Sequence, residues 1–164
     1  MSGWDKIGEN WDDLSENEQI NAVQEYLDDG GDVNALNDND LTLLMYAALT
    51  ERLDLANFLL LQGADLETRD SGMGATALLR AAWGENFDSV KFLIEAGADV
   101  NAADNEGETA LMIFAWEGNP EAVNYLTEAG ADINATNNEG GTAADAASDG
   151  ENPEIAEFLN NLSS

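Results

Sequence analysis

The sequence predicts an all-α protein, a solenoid of stacked helix-turn-helix units with projecting hairpin-like turns. A tetrad of the form Gly, then Gly or Ala, then Asp, then Val, Leu or Ile occurs four times, at intervals of 33, 34 and 33 residues. Its glycines are Gly30, Gly63, Gly97 and Gly130. A threonine recurs at the same spacing, and two apolar segments follow it each time. Two short helices per unit of this length form an array in which each unit packs on its neighbours.

The four segments that begin with threonine make the chain resemble the ankyrin-repeat family. The threonines are Thr42, Thr76, Thr109 and Thr142. The family segment reads Thr-Pro-Leu-His, whereas these segments contain neither Pro nor His. The resemblance covers about residues 14–162, and it implies a turn and two helices per repeat and a role in binding other proteins. The family's hydrogen bonds at the helix start, including the one between the threonine hydroxyl and the imidazole, must then be replaced or lost. We therefore expect looser turns than in a consensus repeat.

The repeat register divides residues 1–164, as one domain, into five units. We expect an N-terminal capping unit at 1–36, repeats at 37–69, 70–103 and 104–136, and a C-terminal capping repeat at 137–164. One extra residue in the turn at 70–74 accounts for the single interval of 34. Terminal units of this kind hide the apolar ends of a solenoid.

The N-terminal unit begins with three apolar residues that would share one face of a short helix. Trp4, Ile7 and Trp11 are spaced i, i+3 and i+7, and we expect the tryptophans to cover the open end of the core. Ser15 and Glu18 have capping-box spacing. They predict a second helix that begins here and extends to about residue 28.

Apolar periodicity predicts two helices in each later unit. The expected pairs are 42–49 and 53–61, 76–83 and 87–95, 109–116 and 120–128, and 142–148 and 153–161. Pro120 and Pro153 fit the first turn of their helices, where no backbone N–H is needed. The segments 65–75, 99–108 and 132–141 are rich in Asn, Asp and Gly, and they should form the projecting turns.

Acidic residues dominate the composition. The chain has 34 Asp and Glu against five Lys and Arg, for a net charge of −29. Such a charge repels nucleic-acid backbones and anionic lipid, and it attracts basic proteins by salt-dependent steering. Three interpretations follow: complementarity to a basic protein, general solubility or salt adaptation, and mimicry of nucleic acid. We favour the first.

The same charge predicts self-repulsion in the folded state. We expect added salt to stabilise the fold, because screening weakens that repulsion. We also expect the pKa values of carboxyl groups to rise on folding. Mild acidification would then stabilise the protein at first.

The sequence contains no Cys and no His. Disulfides are therefore excluded, and the first residues lack the pattern of a signal peptide. We expect a cytoplasmic protein that is monomeric alone and does not contact a membrane. Because the commonest general base and thiol nucleophile are missing, we predict no enzymatic activity, no cofactor and no metal site.

Two motifs match the start of ligand-binding loops but lack the required context. Residues 72–77 read Gly-Met-Gly-Ala-Thr-Ala, which matches a dinucleotide loop, yet no buried strand precedes them. Asp-x-Asn elements begin at Asp32, Asp99 and Asp132, and none continues with the later ligands of a calcium loop. We interpret both motifs as turns whose side chains bond the local backbone.

Equivalent positions near the ends of the first helices provide a candidate binding site. The row is Leu49, Trp83, Trp116 and Asp149, and the row one turn away is Tyr46, Arg80 and Ile113. The family resemblance implies that these positions face a concave groove where partners bind. Exposed aromatics with one Arg inside an acidic rim resemble an interface centre. The alternative is that the two indoles stack on each other and fill space between helices.

Residues of the projecting turns and helix ends are expected to surround this row. The expected rim residues are Asp38, Asp40, Asp70, Met73, Glu106, Glu108, Glu117 and Glu139. We predict that the carboxylates steer the approach of a basic protein while the indoles supply desolvated contact area. The predicted function is an immunity-like module that binds and inhibits or sequesters a basic toxin, nuclease or nucleic-acid-binding protein, with no direct contact to nucleic acid. A general scaffold and a nucleic-acid mimic are the alternatives.

Overall fold

The structure, a computed structural model, describes Trp4, Ile7 and residues 11–163. Within this part of the chain there are nine α-helices and no β-strand, and one isolated bridge pairs Ala103 with Thr109. The prediction of an all-α helical-repeat solenoid is confirmed. None of the described helices is both long and apolar enough to cross a membrane.

The helices after the first follow one another as pairs. Trp11–Asp13 forms a 3-10 turn, and the α-helices are α1 (Glu16–Asp28), α2 (Leu43–Leu49), α3 (Leu53–Leu61), α4 (Ala77–Trp83), α5 (Phe87–Glu95), α6 (Ala110–Glu117), α7 (Pro120–Glu128), α8 (Ala143–Asp149) and α9 (Pro153–Leu162). The predicted ranges of α3, α5 and α7 are the observed ones. The first helix of each pair begins one residue later than predicted, because its threonine is the N-cap and lies outside the helix.

The first helices of the pairs stack on one another through small residues. Helix α2 packs on α4, α4 on α6 and α6 on α8, and each also packs on the second helix of its own pair. The buried small residues of these helices include Ala47, Ala48, Ala81, Ala82 and Ala115. Because the distance between packed helices depends on the side chains at the contact, these alanines let the helices approach closely. The core is therefore one apolar layer that runs along the solenoid.

The helix starts are capped although the family's Pro and His are missing. In each pair, the N-cap threonine hydroxyl accepts a hydrogen bond from the backbone N–H three residues later, at 3.1 to 3.4 Å. Thr142 also donates its backbone N–H to the carboxylate of Asp145, at 2.9 Å, which completes a capping box. The helix-start hydrogen bond is therefore present in each pair, since the threonine hydroxyl satisfies the exposed N–H group.

The N-terminal end of the core is covered by two tryptophans, as predicted. Trp4 and Trp11 are buried, and their rings lie 5.6 Å apart and within 5.8 Å of the ring of Tyr46. The indole N–H of Trp4 donates to the carbonyl oxygen of Leu41 at 2.8 Å. The predicted helix over the first 13 residues lies mostly outside the described residues. The capping box of α1 is present, with Glu18 bonded to Ser15.

The projecting turns are held by side chains that bond the local backbone and the next turn. The carboxylates of Asp32, Asp99 and Asp132 each accept the N–H two residues later, at 2.9 Å. Two of the asparagines in these elements bond the next turn. Asn34 accepts the N–H of Asp65 at 2.8 Å, and two repeats later Asn101 accepts the N–H of Asp132 at 2.7 Å. The Asp-x-Asn elements therefore act as turns. Among the described residues, no group of three or more acidic residues is arranged to hold a metal ion.

The link between the two helices of a pair places three glutamates in left-handed backbone geometry. Glu51, Glu85 and Glu151 have φ values of 54°, 58° and 62°. Gly118 takes the equivalent place in the third repeat, with a φ of 81°. A residue with a side chain is strained in this region, whereas glycine is not. The first, second and last helix pairs therefore carry a strained link, and the third pair avoids the strain because it has glycine there.

Glu85→Gly is expected to raise the free energy of unfolding by about 1 kcal/mol, because it relieves left-handed strain and loses only part of that gain to unfolded-chain entropy. Urea denaturation measures the change. Glu85→Gln is the matched control, since it removes the same charge and keeps the strain. Equal stabilisation by both variants would assign the effect to charge and contradict the backbone explanation.

Candidate protein-binding groove

Two tryptophans at the ends of α4 and α6 form the centre of a groove. Trp83 is the last residue of α4 and Trp116 the penultimate residue of α6. Their side chains are exposed to 42% and 51%, and they line a groove of about 300 Å³. We refer to this recess as the tryptophan groove. Large apolar side chains exposed side by side in a concavity are characteristic of binding surfaces.

The remaining walls combine apolar and acidic side chains. They are formed by Glu108, Met112, Ile113, Asn137, Glu139, Ala146 and Asp149. A second recess beside the groove includes Glu106 and Asn138 and shares Glu108, Asn137 and Glu139 with it. The structure thus brings together the predicted residues Trp83, Trp116, Glu108 and Glu139, with Glu106 adjacent. All of these lie in the middle and C-terminal repeats of the solenoid.

Asn137 orients the acidic side of the groove. Its side-chain N–H donates to a carboxylate oxygen of Glu108 at 2.6 Å. Its side-chain oxygen accepts the backbone N–H groups of Glu139, at 3.1 Å, and Gly141, at 2.8 Å. Sequence reasoning missed this residue. The signal was present, because Asn137 aligns with the turn residue Asp104 one repeat earlier, which also accepts two backbone N–H groups.

The backbone under Trp116 is fixed by the following repeat. The side-chain N–H of Asn152 donates to the carbonyl oxygen of Trp116 at 2.7 Å and to that of Ala115 at 3.2 Å. Gly150 lies against the same carbonyl, and a Cβ atom there would come within 2.0 Å of its oxygen. The indole is therefore presented from a backbone that a neighbouring repeat holds in place.

The two indoles do not stack on each other. The aromatic pairs found among the described residues lie elsewhere, around Tyr46 and around Phe87. Neither set includes Trp83 or Trp116. The alternative prediction, that the two indoles stack on each other, is therefore not supported by any ring contact between them. Their exposed faces are available to a ligand.

Two residues predicted in the second row are buried in the core. Ile113 is only 2% exposed, although its edge borders the groove. Tyr46 packs on the N-terminal tryptophans and donates its hydroxyl to Asp12 at 2.8 Å. Burial and the bond to Asp12 raise the pKa of this phenol. Tyr46 therefore does not face the groove, because the N-terminal cap covers it, whereas Ile113 contributes an edge to the groove wall.

Asp70 and Arg80 form a structural pair instead of part of a binding rim. Asp70 is 3% exposed, and its carboxylate lies 2.9 Å from the Arg80 guanidinium. The same carboxylate accepts the backbone N–H groups of Met73, Gly74 and Ala75 at 2.7 to 3.2 Å. The loop that matches a dinucleotide motif therefore has these donors already bonded. The prediction that Asp70 and Arg80 belong to the binding surface is therefore corrected: the pair shapes the turn.

The other predicted residues lie along the N-terminal turns and helix ends. Asp40 accepts bonds from the Ser71 hydroxyl and the Gly72 N–H, both at 2.7 Å, so it joins successive turns. The remaining predicted residues are Leu49, which is half-buried, and Asp38, Met73 and Glu117, which are exposed. None of these four borders the tryptophan groove.

The few cationic side chains are engaged away from the groove. Of the five in the sequence, four lie in the described part of the chain. Arg52 and Arg69 donate to backbone carbonyl oxygens, and Arg80 pairs with Asp70. Lys91 lies 2.6 Å from Asp88 and over the ring of Phe87. The carboxylates that line the groove therefore face no cation from the groove's own walls.

Local hydrogen bonds lower the pKa of three carboxyl groups. Bonds from the side chain and backbone of Ser15 lower the pKa of Glu18. The Ser71 hydroxyl bond, with lesser help from Gly72, lowers that of Asp40. Bonds from the backbone and hydroxyl of Thr142 lower that of Asp145. The expected rise from self-repulsion is therefore wrong for these groups, because hydrogen bonds to the charged form outweigh it.

Asp145→Asn is expected to reduce stability near neutral pH and to lose this effect in acid. The folded-state pKa of Asp145 is lowered, so its contribution is present above the unfolded pKa and disappears as the pH falls through the folded pKa. Urea midpoints of the wild type and variant, from about pH 7 to about pH 2, measure the difference. Glu121→Gln, on the exposed side of α7, controls for loss of one charge. A difference that grows toward acid would contradict the assignment.

The stacked helix pairs, projecting turns and lateral groove define a helical-repeat binding scaffold. Two family models match: "Ankyrin repeats (3 copies)" over residues 13–104 and "Ankyrin repeats (many copies)" over residues 93–147. The first spans more than half of the sequence, so the chain belongs to the ankyrin-repeat family. Ankyrin repeats indicate a protein–protein interaction module, and the family typically provides non-enzymatic scaffolds. The comparison with curated proteins gave no match.

Proposed function

We propose that this protein binds a basic protein through the tryptophan groove and thereby inhibits or sequesters it. The observation that carries the proposal is the pair of half-exposed indoles bordered by Glu108, Glu139 and Asp149. Aromatic side chains in a concavity are typical energetic centres of interfaces. A carboxylate rim attracts a cationic surface and repels an anionic one.

The net charge of −29 supports a basic partner, because the cationic side chains in the described part of the chain are used internally. An approaching basic toxin, nuclease or nucleic-acid-binding protein would meet little like charge. Its association would be fast at low salt and slower when ions screen the rim. Inhibition follows if the covered surface is the one with which the partner binds its own anionic substrate.

Two other functions make different predictions. A scaffold whose acidity serves solubility would bind a neutral partner with little dependence on salt. A nucleic-acid mimic would place carboxylates in a ladder comparable to duplex phosphates and would compete with nucleic acid for the same site. The clustering of indoles in the groove favours the first proposal over the mimic, which does not require exposed aromatic side chains. The carboxylates beside the indoles favour it over the scaffold for a neutral partner.

Trp83→Ala with Trp116→Ala is expected to weaken binding of a captured basic protein about 30-fold or more, because the indoles supply the desolvated contact. The partner is isolated from lysate of the native source on immobilised protein at low salt. Affinity is then measured with purified partner at low and moderate salt, and the partner's activity is assayed with and without this protein. We expect weaker binding at moderate salt and loss of partner activity in the complex.

Phe158→Ala is the matched control, since this aromatic is 38% exposed on α9 and borders a different recess. It should leave affinity within about twofold. The proposal is wrong if the captured proteins are not basic. It is also wrong if Phe158→Ala abolishes binding while the double tryptophan variant binds normally.

A further inference from the structure

We infer that the tryptophan groove is a receptor for an arginine side chain of the partner, with the guanidinium on an indole face and paired with the adjoining carboxylates. This inference rests on the proposed function and names the chemistry that the groove recognises. It commits to one occupant, an arginine presented by a basic protein.

The first argument is the mixed chemistry of the walls. Trp83 and Trp116 present aromatic faces, and Glu108, Glu139 and Asp149 present negative charge in the same groove. A purely apolar ligand would desolvate these carboxylates without pairing them, which is costly. A carboxylate or phosphate ligand would be repelled. A cation with an apolar face satisfies both kinds of wall.

The second argument is the state of the carboxylates. One oxygen of Glu108 is bonded to Asn137, and the other makes no hydrogen bond within the described residues. The side chains of Glu139 and Asp149 make no hydrogen bond or ion pair in that part of the chain. Glu108 is thus oriented while still able to accept. A fixed acceptor loses less entropy on binding than a freely rotating one.

The third argument separates arginine from lysine. The guanidinium is planar, stacks on aromatic rings and donates two parallel hydrogen bonds to a carboxylate. An ammonium group is a strongly hydrated point charge that gains less from either contact. The groove, at about 300 Å³, is at the small end of ligand-sized pockets, so it admits one or two side chains and not a whole helix.

Two peptides of equal length and charge test the inference. Each is a Gly-Ser peptide with four cationic residues, which are arginines in one and lysines in the other. Indole N–H signals of the isotope-labelled protein are followed by NMR during titration. We expect the arginine peptide to shift the signals of Trp83 and Trp116 and to bind at least about fivefold more tightly than the lysine peptide. The Trp4 signal is the internal reference, because its N–H is bonded to Leu41.

Variants identify the groups that recognise the guanidinium. Glu108→Gln with Glu139→Gln should reduce the affinity for the arginine peptide to near that for the lysine peptide. Glu121→Gln with Glu154→Gln makes the same change in net charge on exposed parts of α7 and α9, and it should preserve the preference. Trp116→Ala should remove most of the preference for arginine while the fold, monitored by the Trp4 signal, is retained.

Equal affinity for the two peptides, or equal losses in both double-glutamine variants, would overturn the inference and leave only nonspecific charge attraction. That result would leave the proposed function standing if a basic protein still requires the indoles for binding. Conversely, a preference for arginine without capture of a basic protein would support the groove chemistry and contradict the proposed partner.

Discussion

Trp4→Ala is expected to lower the free energy of unfolding by about 3 to 4 kcal/mol, the usual cost of removing a buried tryptophan. Trp4 is 5% exposed, packs on Trp11 and Tyr46, and donates its indole N–H to the Leu41 carbonyl oxygen. Its loss leaves a cavity at the open end of the core and an unpaired carbonyl. Urea denaturation monitored by circular dichroism measures the effect.

Trp116→Ala is the matched control for this prediction. The same residue type is removed, but its side chain is 51% exposed, so we expect a loss of less than about 1 kcal/mol. The two variants should therefore show opposite patterns: Trp4→Ala loses stability, and Trp116→Ala loses binding. Similar destabilisation by both would contradict the division between a capping tryptophan and a ligand-binding one.

Asp70→Ala is expected to destabilise the protein by about 3 kcal/mol or more, because it leaves a partly buried guanidinium and several backbone donors without their acceptor. The carboxylate of Asp70 pairs with Arg80 at 2.9 Å and bonds three consecutive N–H groups of the turn. Thermal and urea unfolding give the change in stability. Binding of a basic partner at the groove should be weakened far less than by Trp116→Ala.

Asn substitutions separate the ion pair from the turn. Asn37 and Asn137 occupy the equivalent positions in other repeats and accept the turn N–H groups there, so asparagine fits this site. Asp70→Asn should cost about 1 to 2 kcal/mol, since only the charge opposite Arg80 is lost. Asp104→Asn should lower the free energy of unfolding only slightly, because the side chain of Asp104 accepts backbone N–H groups and pairs with no cation within the described residues. Equal costs at both positions would contradict the role of the ion pair.

The candidate site was only partly predictable. The alignment of Trp83 with Trp116 identified the two indoles, and the turn residues Glu108 and Glu139 were expected beside them. Met112 and Ala146 were missed, since their place in the groove depends on how successive repeats stack, whereas Asn137 was missed although it aligns with Asp104. The N-terminal residues of the predicted site do not line the tryptophan groove, for a different reason. Equivalent positions in the repeat register have different neighbours: the cap buries Tyr46, whereas Arg80, at the equivalent position of the next repeat, pairs with Asp70.

The sequence by itself determined the repeat, the helix ranges and the overall charge, because these depend on local periodicity, capping residues and composition. The ranges of α3, α5 and α7 needed no tertiary information. Only the tertiary structure decided which acids are free and which are bonded. Asp70 is buried against Arg80, whereas Glu139 remains exposed at the groove. That difference depends on side chains brought together across turns and repeats, and a one-dimensional pattern does not contain those distances.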